Sequence, residues 1–148
     1  MLKDRAQKAS ILRLIVNKHW LPQLEVEVEP TQSIDTKRSL LTDLDVLAVA
    51  PSESGRHSKF VFDCKSGMRE SAISRAFWLH GVIARTQSTR GFVILNNRIS
   101  ISRDHRISAS DFGITLLHES EIENLAKGIG SSVATQNALS ADINIWEE

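Results

Sequence analysis

Two short apolar segments, separated by an eight-residue turn, place the tightest constraint on how this chain can fold. Residues 40–50 read LLTDLDVLAVA and residues 59–65 read KFVFDCK. The stretch between them, PSESGRHS, has the proline, glycine and serine content of a turn. Segments this short and this rich in apolar side chains are typical of buried strands. The short connection favours an antiparallel pair.

Hydrophobic periodicity predicts the elements around this pair. Residues 3–19 and 68–86 have apolar side chains at three- and four-residue steps, which indicates amphipathic helices. The segment LEVEVE at 24–29 alternates like a half-buried strand, and GFVILN at 91–96 is apolar up to Leu95, as in a central strand. The remaining predictions are a helix at 107–113, a strand at 114–117 and a helix at 119–128.

This order of elements predicts an α/β domain over residues 1–128, with a sheet covered by helices on both faces. Residues 129–148 are rich in serine, alanine and asparagine, and the pattern assigns no structure to this C-terminal extension. Helix 3–19 is expected to end at Trp20 and Pro22, because proline disfavours helix at the preceding residue.

Composition excludes several classes of protein. The 148 residues are 41% hydrophobic and 24% charged, which is typical of soluble globular domains. No apolar run approaches the ~20 residues that span a bilayer, and we expect a cytoplasmic protein with no membrane partner. Eighteen basic and eighteen acidic side chains give a formal net charge of zero. Bulk charge therefore does not hold this chain on nucleic acid.

An acid and a base, Asp63 and Lys65, stand one residue apart at the end of the apolar strand 59–65. Side chains two apart on a strand share a face, so these two should project together while Cys64 points into the core. A surface ion pair is the competing interpretation. It is weakened because the strand is apolar up to Asp63, and buried charges are rare without a partner or a function.

A second carboxylate is expected beside this pair. Counting outward from the turn, Asp45 lies about as far along its strand as Asp63 or Lys65, and alternation places it on one face with Asp43 and Leu47. Two carboxylates and the backbone carbonyl of Cys64 are the oxygen ligands that Mg²⁺ prefers. Such a cation polarises a phosphoryl oxygen, and a neighbouring lysine can orient or deprotonate the attacking water.

The stretch TDLDVLAV, the turn and FVFDCKSG together resemble the PD-(D/E)xK signature of restriction-endonuclease-like nucleases. Asp45 matches the first acidic position, and Asp63 and Lys65 match the D-x-K. The resemblance extends over roughly residues 3–117. It implies a central mixed β-sheet flanked by helices with an αβββαβ core, and a metal-dependent nuclease that acts on DNA. It also implies Mg²⁺ or Mn²⁺ held by Asp45, Asp63 and the Cys64 carbonyl, with Lys65 as the third catalytic residue.

Two departures from this family pattern affect the site. The proline of the signature is absent, because Leu44 precedes Asp45. Many members carry a metal-binding glutamate in the first helix, where this chain has only Asp4. The candidates for an additional acid are Asp43, Glu25, Glu27 and Glu29, although the three glutamates also fit a solvated strand face. The candidates for phosphate contacts are Ser66, Arg69 and Arg75.

The alternative function is a catalytically inactive nuclease-like module that binds nucleic acid or serves as an assembly subunit. The missing first-helix glutamate and the zero net charge favour it. An active enzyme of this family is expected to work as a homodimer or as a component of a larger nuclease complex, since both DNA strands must be cut. A third possibility is an α/β interaction protein in which the D-x-K is accidental.

Overall fold

The computed structural model describes residues 1–32, 39–135 and 137–147. The helices are α1 (Arg5–Asn17), α2 (Ala72–Thr86), α3 (Arg103–Asp111) and α4 (Ile122–Gly128). The strands are β1 (Leu21–Val28), β2 (Thr42–Pro51), β3 (His57–Lys65), β4 (Arg90–Leu95) and β5 (Ile114–His118). Short 3₁₀ turns cover Glu119–Glu121, Leu139–Ala141 and Ile143–Trp146. No helix in the described residues is both long enough and apolar enough to cross a membrane.

The strands form one mixed five-stranded sheet in the order β1-β2-β3-β4-β5. β1, β2 and β3 are antiparallel neighbours, and β3, β4 and β5 run parallel. The predicted antiparallel pair is confirmed, with Val46 opposite Phe62 and Pro51 opposite His57. Because β3, β4 and β5 are parallel, their C-terminal ends meet at one edge of the sheet. Lys65, Leu95 and His118 lie side by side there.

Each face of the sheet carries its own hydrophobic core, so the predicted α/β layering is confirmed. The first core packs α1 and α4 against Val46, Phe62 and Cys64. The second packs α2 and α3 against Val61 and Val93. As predicted, Phe62 and Cys64 lie on the face opposite Val61.

Several boundaries differ from the sequence-based prediction. β1 begins at Leu21, so Pro22 lies inside a strand and not at the end of a helix. A proline is tolerated there because β1 is an edge strand. α2 begins at Ala72 and not at residue 68, because the Ser71 side chain caps the helix by accepting the Ser74 amide. α3 begins four residues earlier than expected, where Ser102 caps it in the same way.

The alternation of β2 breaks at Asp45. Leu44 and Leu47 both contact the second core, whereas Val46 contacts the first. Regular alternation would put Leu44 and Val46 on the same face. On the neighbouring strand, Glu25 lies between the pairs Leu24–Val46 and Val26–Leu44 and has a left-handed backbone with φ of 51°. The irregularity therefore affects both strands at the same level of the sheet. The prediction that Asp43, Asp45 and Leu47 share one face by regular alternation does not hold, because the alternation is interrupted at Asp45.

The described residues of the C-terminal extension pack against α1. Ser131 Oγ donates a hydrogen bond to the Leu14 carbonyl at 2.6 Å, and Arg13 Nε donates to the Val133 carbonyl at 2.8 Å. Ile143 is buried in the first core, and Glu147 accepts the Leu2 amide at 3.0 Å. This segment therefore packs against α1, an arrangement that its sequence does not predict.

Substitution of two glycines, Gly91 and Gly81, tests how closely α2 packs on the sheet. A Cβ at Gly91 would lie 2.7–2.8 Å from side-chain carbons of Leu79, Ile83 and Ile114, whereas a Cβ at Gly81 meets nothing within 4 Å. Gly91→Val should lower the free energy of unfolding by about 1–3 kcal/mol through overpacking. The control Gly81→Ala, in the middle of α2, should raise it by about 0.5–1 kcal/mol. Urea denaturation measures both, and a Gly91→Val protein as stable as wild type would contradict the close packing.

Candidate active site

The Asp45 carboxylate lies at the junction of α1, β2 and β3. Its Oδ2 accepts the Cys64 backbone N–H at 2.8 Å and the Lys65 Nζ at 3.0 Å. Its Oδ1 lies 2.9 Å from Lys8 Nζ. The side chain is only 11% exposed. Burial by itself would raise the pKa of Asp45, but the two ammonium groups and the Cys64 amide outweigh it and hold that pKa below its ordinary value.

The Lys65 ammonium group is surrounded by three oxygens. Nζ lies 3.0 Å from Asp45 Oδ2, 3.1 Å from Asp63 Oδ1 and 3.1 Å from the Cys64 carbonyl oxygen. These are the two carboxylates and the backbone carbonyl that the sequence predicts as metal ligands. They converge on one point, and a positive charge already sits at that point.

Asp63 is almost fully buried, with 2% of its side chain exposed. Arg75 of α2 binds it through both oxygens, with Nε 2.8 Å from Oδ2 and Nη2 2.6 Å from Oδ1. Such a two-pronged pair fixes the plane of the carboxylate. The Arg75 guanidinium also lies over the Trp78 ring, 4.2 Å from its centroid. Arg75, predicted as a phosphate contact, is thus placed against the carboxylate that would bind the metal.

Lys8 of α1 reaches the site from one face of the sheet, whereas Arg75 of α2 reaches it from the other face. Its side chain is 1% exposed, and Nζ binds both Asp45 and Glu25. Burial opposes the charged form, but the carboxylates of Glu25 and Asp45 outweigh that effect and raise the pKa of Lys8. Glu25, one of the candidate acids, is therefore engaged with a protein cation.

The other predicted residues lie around this cluster. Ser66 follows β3 and donates its N–H and its hydroxyl to the Asp4 carboxylate, while Arg69 is exposed beyond it. Asp43 and Glu27 lie opposite each other on β2 and β1 and are both exposed. The structure therefore brings together Asp45, Asp63 and Lys65 with one candidate acid, Glu25.

Three polar residues at this edge were not predicted: Lys8, Gln7 and Asn96. Gln7 Nε2 donates to the Lys65 carbonyl at 3.3 Å and to Glu119 at 3.1 Å, and Asn96 Nδ2 donates to the Ser66 carbonyl at 3.0 Å. Lys8 precedes Ile11 by three residues and Leu12 by four, so it continues the apolar stripe of α1. A charge on that stripe is the signal that could have identified it.

The protonation states follow from the surroundings of each group. Burial and the nearby carboxylates raise the pKa of the Cys64 thiol well above its ordinary value, so Cys64 is a neutral core residue and not a nucleophile. Burial disfavours the charged form of Lys65, but Asp63 and Asp45 outweigh it and raise its pKa. Lys65 is therefore an ammonium group at neutral pH in this arrangement. It can orient a water and stabilise negative charge, but it cannot accept a proton.

The donor set suits a hard divalent cation. Within residues 1–32, 39–135 and 137–147, no three His, Cys, Asp or Glu side chains form a cluster that could hold a metal ion. The fitting set consists of two carboxylates and one backbone carbonyl, which already surround a cation. Mg²⁺ usually takes one or two protein carboxylates and completes its octahedron with waters. The residues present therefore fit Mg²⁺ or Mn²⁺ once Lys65 moves aside.

Comparison with known proteins identifies the fold and nothing more specific. No family model matches the chain, and no curated protein matches it. Among solved structures, it is similar to the crystal structure of protein VC1899 from Vibrio cholerae, with a TM-score of 0.59 and 13% sequence identity. The match covers 83% of this chain and 31% of that one. At this identity, the likeness establishes a shared α/β fold for a domain about a third as long as the VC1899 chain.

The depressed pKa of Asp45 predicts a specific dependence of stability on pH. Asp45→Asn should lower the free energy of unfolding at pH 7 by about 3 kcal/mol, because two enclosed ammonium groups lose the charge between them. Since the folded pKa lies below the ordinary 3.8, the ionised Asp45 stabilises the fold above that pH. The difference between wild type and variant should stay constant from pH 7 to 5 and shrink as the pH falls below 4.

Urea denaturation at pH 7, 5 and 3 measures this difference. The matched control is Asp43→Asn, two residues away on β2 and exposed, which should change stability by less than about 0.5 kcal/mol at each pH. A difference between wild type and Asp45→Asn that is unchanged at pH 3 would show that Asp45 is not the group that responds.

Proposed function

We propose that this chain is a restriction-endonuclease-like, metal-dependent nuclease that hydrolyses phosphodiester bonds in DNA. The observation that supports it best is the convergence of Asp45 Oδ2, Asp63 Oδ1 and the Cys64 carbonyl on one point, 3.0–3.1 Å from the Lys65 ammonium. Three oxygens that meet around a cation at the end of buried strands are the arrangement that a hard metal ion needs.

The fold supports the same proposal. The order α1, β1, β2, β3, α2, β4 matches the αβββαβ core that the resemblance implies. The site lies where β2 begins and β3 ends, on the level at which both β1 and β2 are irregular. Such irregularities redirect side chains next to functional sites.

In the proposed reaction, Asp45, Asp63 and the Cys64 carbonyl would hold Mg²⁺ or Mn²⁺. The cation supplies Lewis-acid polarisation of the phosphoryl group and lowers the pKa of water. Arg75 keeps the Asp63 carboxylate in a fixed plane, and the Cys64 amide does the same for Asp45. Lys65 would leave the three oxygens, stay protonated, orient the attacking water and stabilise charge on the phosphate. The water oxygen would bond to phosphorus as the P–O bond to the sugar oxygen breaks, and the proton of the water would pass to bulk solvent.

Further phosphate contacts would come from residues at the same edge. Ser66 is exposed directly after β3, and Arg69 is exposed in the loop that leads to α2. Arg69 can face a DNA backbone that crosses this end of the sheet, whereas Ser66 can do so only when it is released from the Asp4 carboxylate. In this proposal Arg75 orients Asp63 and does not contact phosphate, because its guanidinium group binds both oxygens of Asp63.

The second candidate function is the inactive module that binds nucleic acid or supports assembly. One observation favours it: the carboxylates of Asp45, Asp63 and Glu25 are each paired with Lys8, Lys65 or Arg75. A site whose acids are all neutralised by protein cations holds together without a metal. In that case the same cluster would be a structural core, and any DNA contact would occur elsewhere on the surface.

A cleavage assay distinguishes the two functions. Wild-type protein with plasmid and single-stranded DNA should cleave in Mg²⁺ or Mn²⁺ and stop on addition of EDTA. Asp63→Asn should abolish cleavage by removing one ligand charge. Lys65→Met should reduce the rate by about 10²–10⁴-fold, because the attacking water loses its orienting group.

Lys59→Met is the matched control, since it removes the same charge from the other end of the same strand. Its rate should stay close to that of wild type. Cleavage that survives both Asp63→Asn and Lys65→Met would reject the assigned site. A wild-type protein that binds DNA but never cuts it would support the inactive module.

A further inference from the structure

The Asp45 carboxylate lies between two ammonium groups. Its Oδ1 is 2.9 Å from Lys8 Nζ, and its Oδ2 is 3.0 Å from Lys65 Nζ. A carboxylate that binds one cation through each oxygen has the geometry of a bridging ligand. In two-metal nuclease sites the cations lie about 3.5–4 Å apart and share such a ligand.

The two ammonium groups differ in whether they can leave. Lys65 has 24% of its side chain exposed and stands at the end of β3, so solvent is within its reach. Lys8 has 1% exposed and lies inside α1 with Gln7 and Ala9 also buried. A divalent cation can displace Lys65 into solvent. It cannot displace Lys8 without opening the contact of α1 with the sheet.

Glu25 is committed to the same buried lysine. Glu25 and Asp45 both lie between the pairs Leu24–Val46 and Val26–Leu44 of β1 and β2, and the left-handed backbone of Glu25 has φ of 51°. Its carboxylate binds Lys8 Nζ. Lys8 therefore binds the two acids, one on each strand, that would otherwise form a second pair of metal ligands.

We infer that Lys8 is a positioning residue whose ammonium group takes the place of a second divalent cation between Asp45 and Glu25, so that the site binds a single divalent cation. This inference rests on the proposed function. The chain would then contain a one-cation nuclease site in which a side chain supplies the other positive charge permanently. Its affinity for the divalent cation would depend on one ligand set, formed by Asp45, Asp63 and the Cys64 carbonyl.

The test measures how many Mn²⁺ ions bind, without DNA, by calorimetric titration and by electron paramagnetic resonance. Wild type should bind one Mn²⁺ per chain. Lys8→Gln removes the charge and leaves a side chain of similar length, so this variant should bind two. Its spectrum should show magnetic coupling between two neighbouring Mn²⁺ ions, an effect that loss of stability alone does not produce. Lys3→Gln, the same change at an exposed position before α1, should bind one.

Each outcome decides a different question. A wild type that binds two ions overturns the inference and leaves the nuclease proposal standing. A folded Lys8→Gln variant that binds only one Mn²⁺ ion would also overturn the inference and leave the nuclease proposal standing. A wild type that binds no Mn²⁺ overturns the proposed function and the inference with it.

Glu25→Gln keeps the inference testable if Lys8→Gln does not fold. Glu25 is partly exposed, and Lys8 keeps Asp45 as its partner in this variant. Because Glu25 is not a ligand in the wild type, Mn²⁺ should still bind at one per chain with an affinity changed by less than about threefold. A loss of affinity of tenfold or more (about 1.4 kcal/mol) would show that Glu25 binds the metal, and would overturn the inference.

Discussion

The buried carboxylate of Asp45 is the interaction on which the rest of the site depends. One side chain accepts the backbone amide of β3, the ammonium group of Lys65 and the ammonium group of Lys8 on α1. It therefore joins the first helix to the two central strands from inside the protein. A carboxylate is stable at this depth only if it has such partners, so the positions of α1, β2 and β3 relative to one another are coupled to its charge.

Most of the architecture could be predicted because it follows from the periodicity of apolar residues. β3 is regular at this point, so its side chains alternate between the two faces of the sheet. Cys64 therefore points into the first core, and Asp63 lies on the same face as Val61. The repeat misleads at Asp45, where Leu44 and Val46 contact opposite cores. The left-handed backbone of Glu25 cannot be predicted from a hydrophobicity pattern. The glutamate is polar whether the strand is regular or irregular at that position.

The part of the site that the sequence does not predict consists of polar and charged side chains whose partners are distant in the chain. Lys8 meets Glu25 and Asp45 only after α1 has packed on the sheet, so the sequence alone shows a lysine near the start of a helix. Arg75 is predicted as a phosphate contact for the same reason, although it binds Asp63 through both oxygens. Side chains of this type are interpreted as surface residues by default, because burial of a charge is rare.

Under the proposed function, this geometry would link metal binding to the availability of Lys65. The three oxygens that fit a divalent cation are the same three that hold the lysine. In the proposed nuclease, Lys65 would face a phosphate only when another positive charge had taken its place, and it would return to the carboxylates when that charge left. A cation would face the carboxylates of Asp45 and Asp63 in both arrangements. If the proposed function holds, such a site would stay folded without metal, and it would present the Lys65 ammonium group only when the divalent cation was also bound.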